Sequence, residues 1–120
     1  NDLYKSVSAF SPICSLHNST FAKDMFSNYL DNNLDELNLY DPITLIKNSD
    51  KKFESIKIDV GLNDDFLKDL YIDDFIKECD ETGQKLLVAK HPGYDHGYYF
   101  INSFIEDHIN YHVSILKNID

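Results

Sequence analysis

This 120-residue chain predicts an α/β fold: a parallel sheet of about three strands with flanking helices. Two patterns carry that expectation. Short strand-like runs alternate with stretches of helical periodicity in the order strand, helices, strand, helix, strand, helix, the signature of right-handed βαβ units. The last of the short runs, Leu86-Leu87-Val88-Ala89, is apolar without alternation, as suits a strand covered on both faces.

Each element has a local reason. Ser6-Val7-Ser8-Ala9-Phe10 reads as the first strand, stopped by Pro12. Residues 21–30 and 34–39 read as short helices separated by Asp31-Asn32-Asn33. Asp41-Pro42 is a helix start, with Asp41 as N-cap and Pro42 at the first helical position; that third helix, 43–47, ends in polar residues 48–52. The second strand is 55–60, stopped by Gly61. Leu62-Asn63-Asp64-Asp65 then leads into one amphipathic helix with Phe66, Leu67, Leu70, Tyr71, Phe75 and Ile76 as its apolar stripe, closed by Gly83. The third strand, 85–90, runs into a loop opened by His91-Pro92-Gly93, and a long helix follows over 98–117.

Composition narrows the function classes. With 42% apolar and 27% charged residues, the chain is one domain or part of one. Its 8 Tyr and 8 Phe are spread along the length, which argues against disorder. A net charge of −10 repels phosphate backbones and anionic lipid, so neither nucleic acid nor a membrane surface is an expected partner. Cys14 and Cys79 stand apart without metal spacing, which disfavours a disulfide framework or a zinc site. No run has the length and apolarity of a membrane span and no signal peptide is visible, making the cytosol the default compartment. The chain begins at Asn1 without Met and reaches a strand at once, so its start is expected to be a cut.

Chemistry concentrates in Gly93-Tyr94-Asp95-His96-Gly97-Tyr98-Tyr99-Phe100. His96 falls just past the C-terminal end of a strand, where open α/β sheets carry their functional groups. Flanking glycines allow a sharp turn, and imidazole moves protons near neutral pH. Asp64 lies just past the preceding strand. A carboxylate there can accept from one ring nitrogen and leave the other as a general base toward a nucleophile. The alternatives are that Asp64 only caps the helix after it, or that Asp65 takes either role. Asp95 is a weaker partner because adjacent side chains rarely face each other. Asp59 alternates with Ile58 and Val60 and is expected to face solvent or bond locally. His108 and His112 have metal-ligand spacing, but they lie within the stripe of Ile101, Phe104, Ile105, Ile115 and Leu116, which favours buried or half-buried histidines. His17 and His91 carry no signal of their own. Cys14 could line a site or simply be buried, and Cys79 reads as packing. With only four glycines, no Gly-x-Ser-x-Gly nucleophile elbow exists, nor is an oxyanion hole evident.

Together these stretches resemble the C-terminal part of the S-formylglutathione hydrolase (esterase D) family of α/β-hydrolase serine thioesterases. The resemblance rests on 4–14, which is similar to the family's sixth strand, on Tyr40-Asp41, on 61–66, and most specifically on the run from Gly93 through His108 to Ile109. It implies that residues 1–120 are the C-terminal portion of a single α/β-hydrolase domain whose nucleophile-bearing half lies upstream. It implies Asp64 and His96 as the triad acid and base, no metal or organic cofactor, and hydrolysis of S-formylglutathione to glutathione and formate through a formyl-serine intermediate. The chain alone is then expected to be inactive. Its first strand, interior in the family, would offer an unpaired edge for the N-terminal half or for self-association. Two departures stand out: Ser19-Thr20-Phe21-Ala22 replaces the family's Cys-Pro-Trp-Gly, and the stretch from Phe66 to Phe75 is about two residues short. Two rivals are a truncated, non-catalytic α/β interaction module and an acidic receiver-like domain with a cation held by Asp59, Asp64 and Asp65.

Overall fold

In the computed structural model, which describes residues 3–29 and 33–118, strands β1 (Val7–Phe10), β2 (Ile56–Gly61) and β3 (Leu86–His91) form one parallel sheet in the order β1-β2-β3. Ile56 pairs with both Val7 and Leu86, and Gly61 with His91, so β2 and β3 end level with each other. Strand limits differ from the expected ones by a single residue.

Alternation along β2 sets the two faces. Ile56, Ile58 and Val60 point to a core shared with Cys14, Leu70, Ile72, Phe75 and Cys79. Fully burying an aliphatic side chain of this kind contributes about 1.5–3 kcal/mol. Helix α1 (Thr20–Tyr29) and the short α2 (Leu34–Leu37) precede α3 (Pro42–Asn48), whose Ile43 and Ile46 close over that core. Asp41 caps α3 as expected: Oδ2 accepts the Thr44 N–H at 2.9 Å and the Thr44 hydroxyl at 2.6 Å. Its other oxygen accepts the Leu16 N–H at 2.5 Å, so the same carboxylate ties down the connection after β1. Helix α2 stops short of the expected 39 because Leu39 and Tyr40 donate to the Glu36 and Leu37 carbonyls in a tightened turn. Of the expected separator, Asp31 and Asn32 lie outside the described residues.

The amphipathic helix expected as one piece from Phe66 is two. Helix α4 (Leu67–Leu70) ends at Tyr71, which takes a left-handed conformation (φ 57°, ψ 41°), and α5 (Ile72–Thr82) starts directly after it. The Leu70 carbonyl accepts the Cys14 N–H at 2.8 Å instead of continuing the helix. The break also buries both Leu70 and Ile72. Gly83 ends α5 at φ 77°, a conformation that suits glycine.

Helix α6 (Tyr98–Lys117) runs over the opposite face, burying Phe100, His108 and Ile115 against β1 and β2. With α3 and α5 on one side and α6 on the other, the sheet is covered on both faces. No helix among the described residues is long and apolar enough to cross a membrane.

Candidate active site

The loops leaving β2 and β3 are sewn together by their backbones. Leu62 N–H donates to the His91 carbonyl at 3.0 Å and Asn63 N–H to the Tyr94 carbonyl at 2.9 Å, while the Asn63 side chain accepts the Gly93 N–H at 3.2 Å. Gly61 makes this approach possible. A Cβ there would lie 2.3 Å from the Tyr94 carbonyl oxygen and 2.6 Å from that of Asp95, both backbone atoms. Gly93, at φ 82°, turns the second loop back over the first.

These constraints place Asp64 and His96 side by side. His96 Nδ1 lies 2.6 Å from Asp64 Oδ2, and Asp64 Oδ1 accepts the Phe66 N–H at 2.7 Å. The Asp64 side chain is fully buried, whereas that of His96 is 47% exposed. A carboxylate can only accept here, so the imidazole proton sits on Nδ1 and Nε2 carries the free lone pair. Phe66 sets its ring edge-on to His96 at 5.6 Å, fixing the imidazole from the side. Beside His96 lies a cleft of about 240 Å³ walled by Ile13, Phe21, Phe66 and Leu70, with Ser11 and Asp69 also on its wall. An oriented imidazole with a free basic nitrogen at such a cleft can take a proton from a hydroxyl presented to it.

Asp64 thus orients His96 and closes a turn on the Phe66 N–H; of the alternatives the sequence posed, it is not the side-chain cap of α4, whose N-cap position is Phe66. Asp65 is exposed, and Asp95 accepts the Gly97 N–H at 2.8 Å at the start of α6, turned to its own backbone.

Asp59 departs from expectation. It is buried, not solvent-facing, because α6 covers its side of the sheet. Its oxygens accept Nε2–H of His91 at 2.7 Å and of His108 at 2.5 Å, and Lys57 Nζ lies at 3.1 Å. Burial pushes its carboxyl up, but the hydrogen bonds from His91, Lys57 and His108 outweigh that and hold it below the usual carboxylate range. Burial lowers His108 more than its bond to Asp59 raises it, so it stays a neutral donor. The rings stack as well, His108 on Phe10 at 3.9 Å and His91 on Phe104 at 3.8 Å. His91, which carried no signal in the sequence, is therefore part of the joint that fastens α6 to the sheet beneath the Asp64 and His96 loops. His112 is separately engaged, its two ring nitrogens bonded to the Ser6 and Ser8 hydroxyls at 2.7 and 2.8 Å. The i, i+4 histidines are thus engaged by different protein partners, and Asp59 is committed to partners other than those of Asp64 and Asp65. Among the described residues no group of three or more His, Cys, Asp or Glu side chains is arranged to hold a metal ion.

Cys14 is buried in the core and does not line the cleft; burial pushes its thiol up to about 12, far from a reactive thiolate. Cys79 is buried likewise, its thiol raised to about 11. Asp69, overlooked in the sequence, holds the start of α1: it accepts the Ser19 hydroxyl at 2.7 Å, the Thr20 N–H at 2.8 Å and hydroxyl at 3.0 Å, and the Phe21 N–H at 3.2 Å. The Ser19 hydroxyl and Thr20 N–H lead in lowering its carboxyl to about 2. Only its distance in sequence from Thr20 hid this cap.

Residues 1–111 match the Esterase family model, described as "Putative esterase". The chain is 44% identical over 117 residues to an S-formylglutathione hydrolase of Arabidopsis thaliana, a match covering 97% of this chain and 41% of that protein. The solved structure of an S-formylglutathione hydrolase from Agrobacterium tumefaciens aligns with a TM-score of 0.87 at 32% identity, over 93% of this chain and 40% of the other. The chain therefore spans about two-fifths of the length of these relatives, and its three parallel strands with flanking helices are part of an α/β-hydrolase fold. Because the matched stretch runs through both loops that bring Asp64 and His96 together, and on through most of α6, this chain belongs to the esterase family.

Proposed function

We propose that the protein carrying this chain is a serine thioesterase that hydrolyses S-formylglutathione to glutathione and formate, with Asp64 and His96 as two members of its triad. The carrying observation is the 2.6 Å contact between His96 Nδ1 and Asp64 Oδ2, which leaves Nε2 free at the edge of the cleft. The relatives named S-formylglutathione hydrolase support the substrate class. In this reading a serine outside these 120 residues attacks the formyl carbonyl while Nε2 takes its proton. The buried Asp64 carboxylate holds the ring in the right tautomer and stabilises the imidazolium. Collapse of the tetrahedral adduct breaks the C–S bond, and the proton on Nε2 goes to the departing glutathione sulfur. Water then repeats the sequence on the formyl-serine, with His96 again as base and then acid, releasing formate.

The test uses the complete protein. His96→Gln and Asp64→Asn should each lower kcat/KM for S-formylglutathione by roughly 10³–10⁴, because a misoriented or absent base removes most of the triad's contribution. Thermal unfolding of His96→Gln should be nearly unchanged, since that side chain is half exposed. A His96→Gln protein retaining wild-type turnover would end this assignment.

A further inference from the structure

Three features outside the Asp64–His96 pair converge on Ser11. Its backbone lies in the left-handed region at φ 46°, although it is not glycine. Its N–H still extends the sheet ladder, donating to the Asp59 carbonyl at 2.9 Å, so the strained geometry turns the chain immediately beyond β1. Its hydroxyl is buried and, among the described residues, has no hydrogen-bond partner. The residue also lines the cleft beside His96. A buried hydroxyl left unpaired and a strained non-glycine backbone are both destabilising, and such features gather where function requires them.

We propose that the Ser11 hydroxyl hydrogen-bonds the substrate in this cleft and favours thioesters whose thiol portion carries amide groups near the sulfur; this rests on the hydrolase reading above. The rest of the wall offers little competition. Ile13, Phe21, Phe66 and Leu70 are apolar, and both oxygens of Asp69 are taken up by the start of α1. His96 Nε2 is occupied with the reacting proton. At about 240 Å³ the cleft takes only the part of a substrate near the scissile bond, because pockets for whole drug-sized ligands run from about 300 to 1,000 Å³. A serine hydroxyl both donates and accepts, and it turns about one torsion between staggered positions, so it can leave its closed position to meet an amide. A substrate lacking that group leaves the hydroxyl unpaired, which is the physical origin of discrimination.

The experiment compares the complete wild-type protein with Ser11→Ala, Ser11→Gly and His96→Gln on S-formylglutathione and on p-nitrophenyl acetate, whose leaving group has no amide. Both Ser11 variants should lose about tenfold or more in kcat/KM on S-formylglutathione and less than about twofold on the simple ester. Ser11→Gly, which relieves the backbone and removes the unpaired hydroxyl, should melt at or above the wild-type temperature, so its loss is not one of folding. Equal losses on the two substrates, or no loss on either, overturn the proposal. A wild type active through His96 but indifferent to Ser11 sinks this inference alone. A wild type inactive on both substrates sinks the hydrolase reading and this one with it.

Discussion

Gly61 and Asp59 stand two positions apart on β2, and each governs the site without taking part in it. Gly61 is where the His96 loop touches the sheet, and the sequence shows it only as a strand stop. The 2.3 Å separation between a hypothetical Cβ and the Tyr94 carbonyl oxygen cannot be relieved by a side-chain rotation. Gly61→Ala should therefore cost about 2–3 kcal/mol, the upper range for overpacking, measured as a lowered urea midpoint at constant slope. It should also push the His96 loop away from Asp64 and depress turnover. A variant of wild-type stability would show that the loop adapts. The reading of Asp59 failed because strand alternation tells which residues share a face, not whether a distant helix covers that face. Asp64 was legible, since a strand end followed by a helix start narrows the choice to it and its neighbour.

At the scale of elements, α6 is the most legible piece and the way it is fastened the least. Its limits coincide with the expected 98–117, while its anchorage depends on Asp59, His91 and His108 from three different elements. That joint makes stability depend on pH. The folded-state pKa of His108 is lowered below 6.5, so an unfolded chain takes up a proton that the folded one refuses, and stability falls as pH drops below about 6.5. Asp59, held below 3.8, keeps its contribution above that value and loses it only on further acidification. Lys57 and His112 also face His108 and act to lower it further, so neither reverses the sign. Urea midpoints should thus decline between about pH 7.5 and 5. His108→Gln, which can still donate to Asp59 but does not titrate, should show a shallower decline. An unchanged slope in that variant would assign the pH dependence to another group. The split of the expected helix at Tyr71 belongs to this scale too: the apolar stripe is real, yet the Cys14 N–H takes the Leu70 carbonyl, a competition between segments distant in sequence.

For the molecule as a whole, the sheet order leaves β1 at an edge of the described sheet. An exposed parallel edge offers unpaired backbone groups to another strand. The 120-residue chain by itself should accordingly self-associate or pair with a complementing segment, seen as a mass above 13.9 kDa in light scattering. A strictly monomeric solution at all concentrations would contradict this. Large apolar side chains left exposed at the cleft, Phe21 and Phe66, point the same way.

The order of elements, the parallel sheet, the Asp41 cap, the end of α5 at Gly83 and the identity of Asp64 and His96 as neighbours beyond two strand ends were all written in the chain itself. Each depends on local periodicity, on one residue's backbone preferences, or on the rule that successive parallel strands end on the same rim. Tertiary structure alone decided that Asp59 joins two histidines under α6, that Asp69 holds α1, and that Ser11 lies buried beside the cleft with no hydroxyl partner among the described residues. Those outcomes turn on hydrogen bonds between residues far apart along the chain, whose partners exist only once both faces of the sheet are covered.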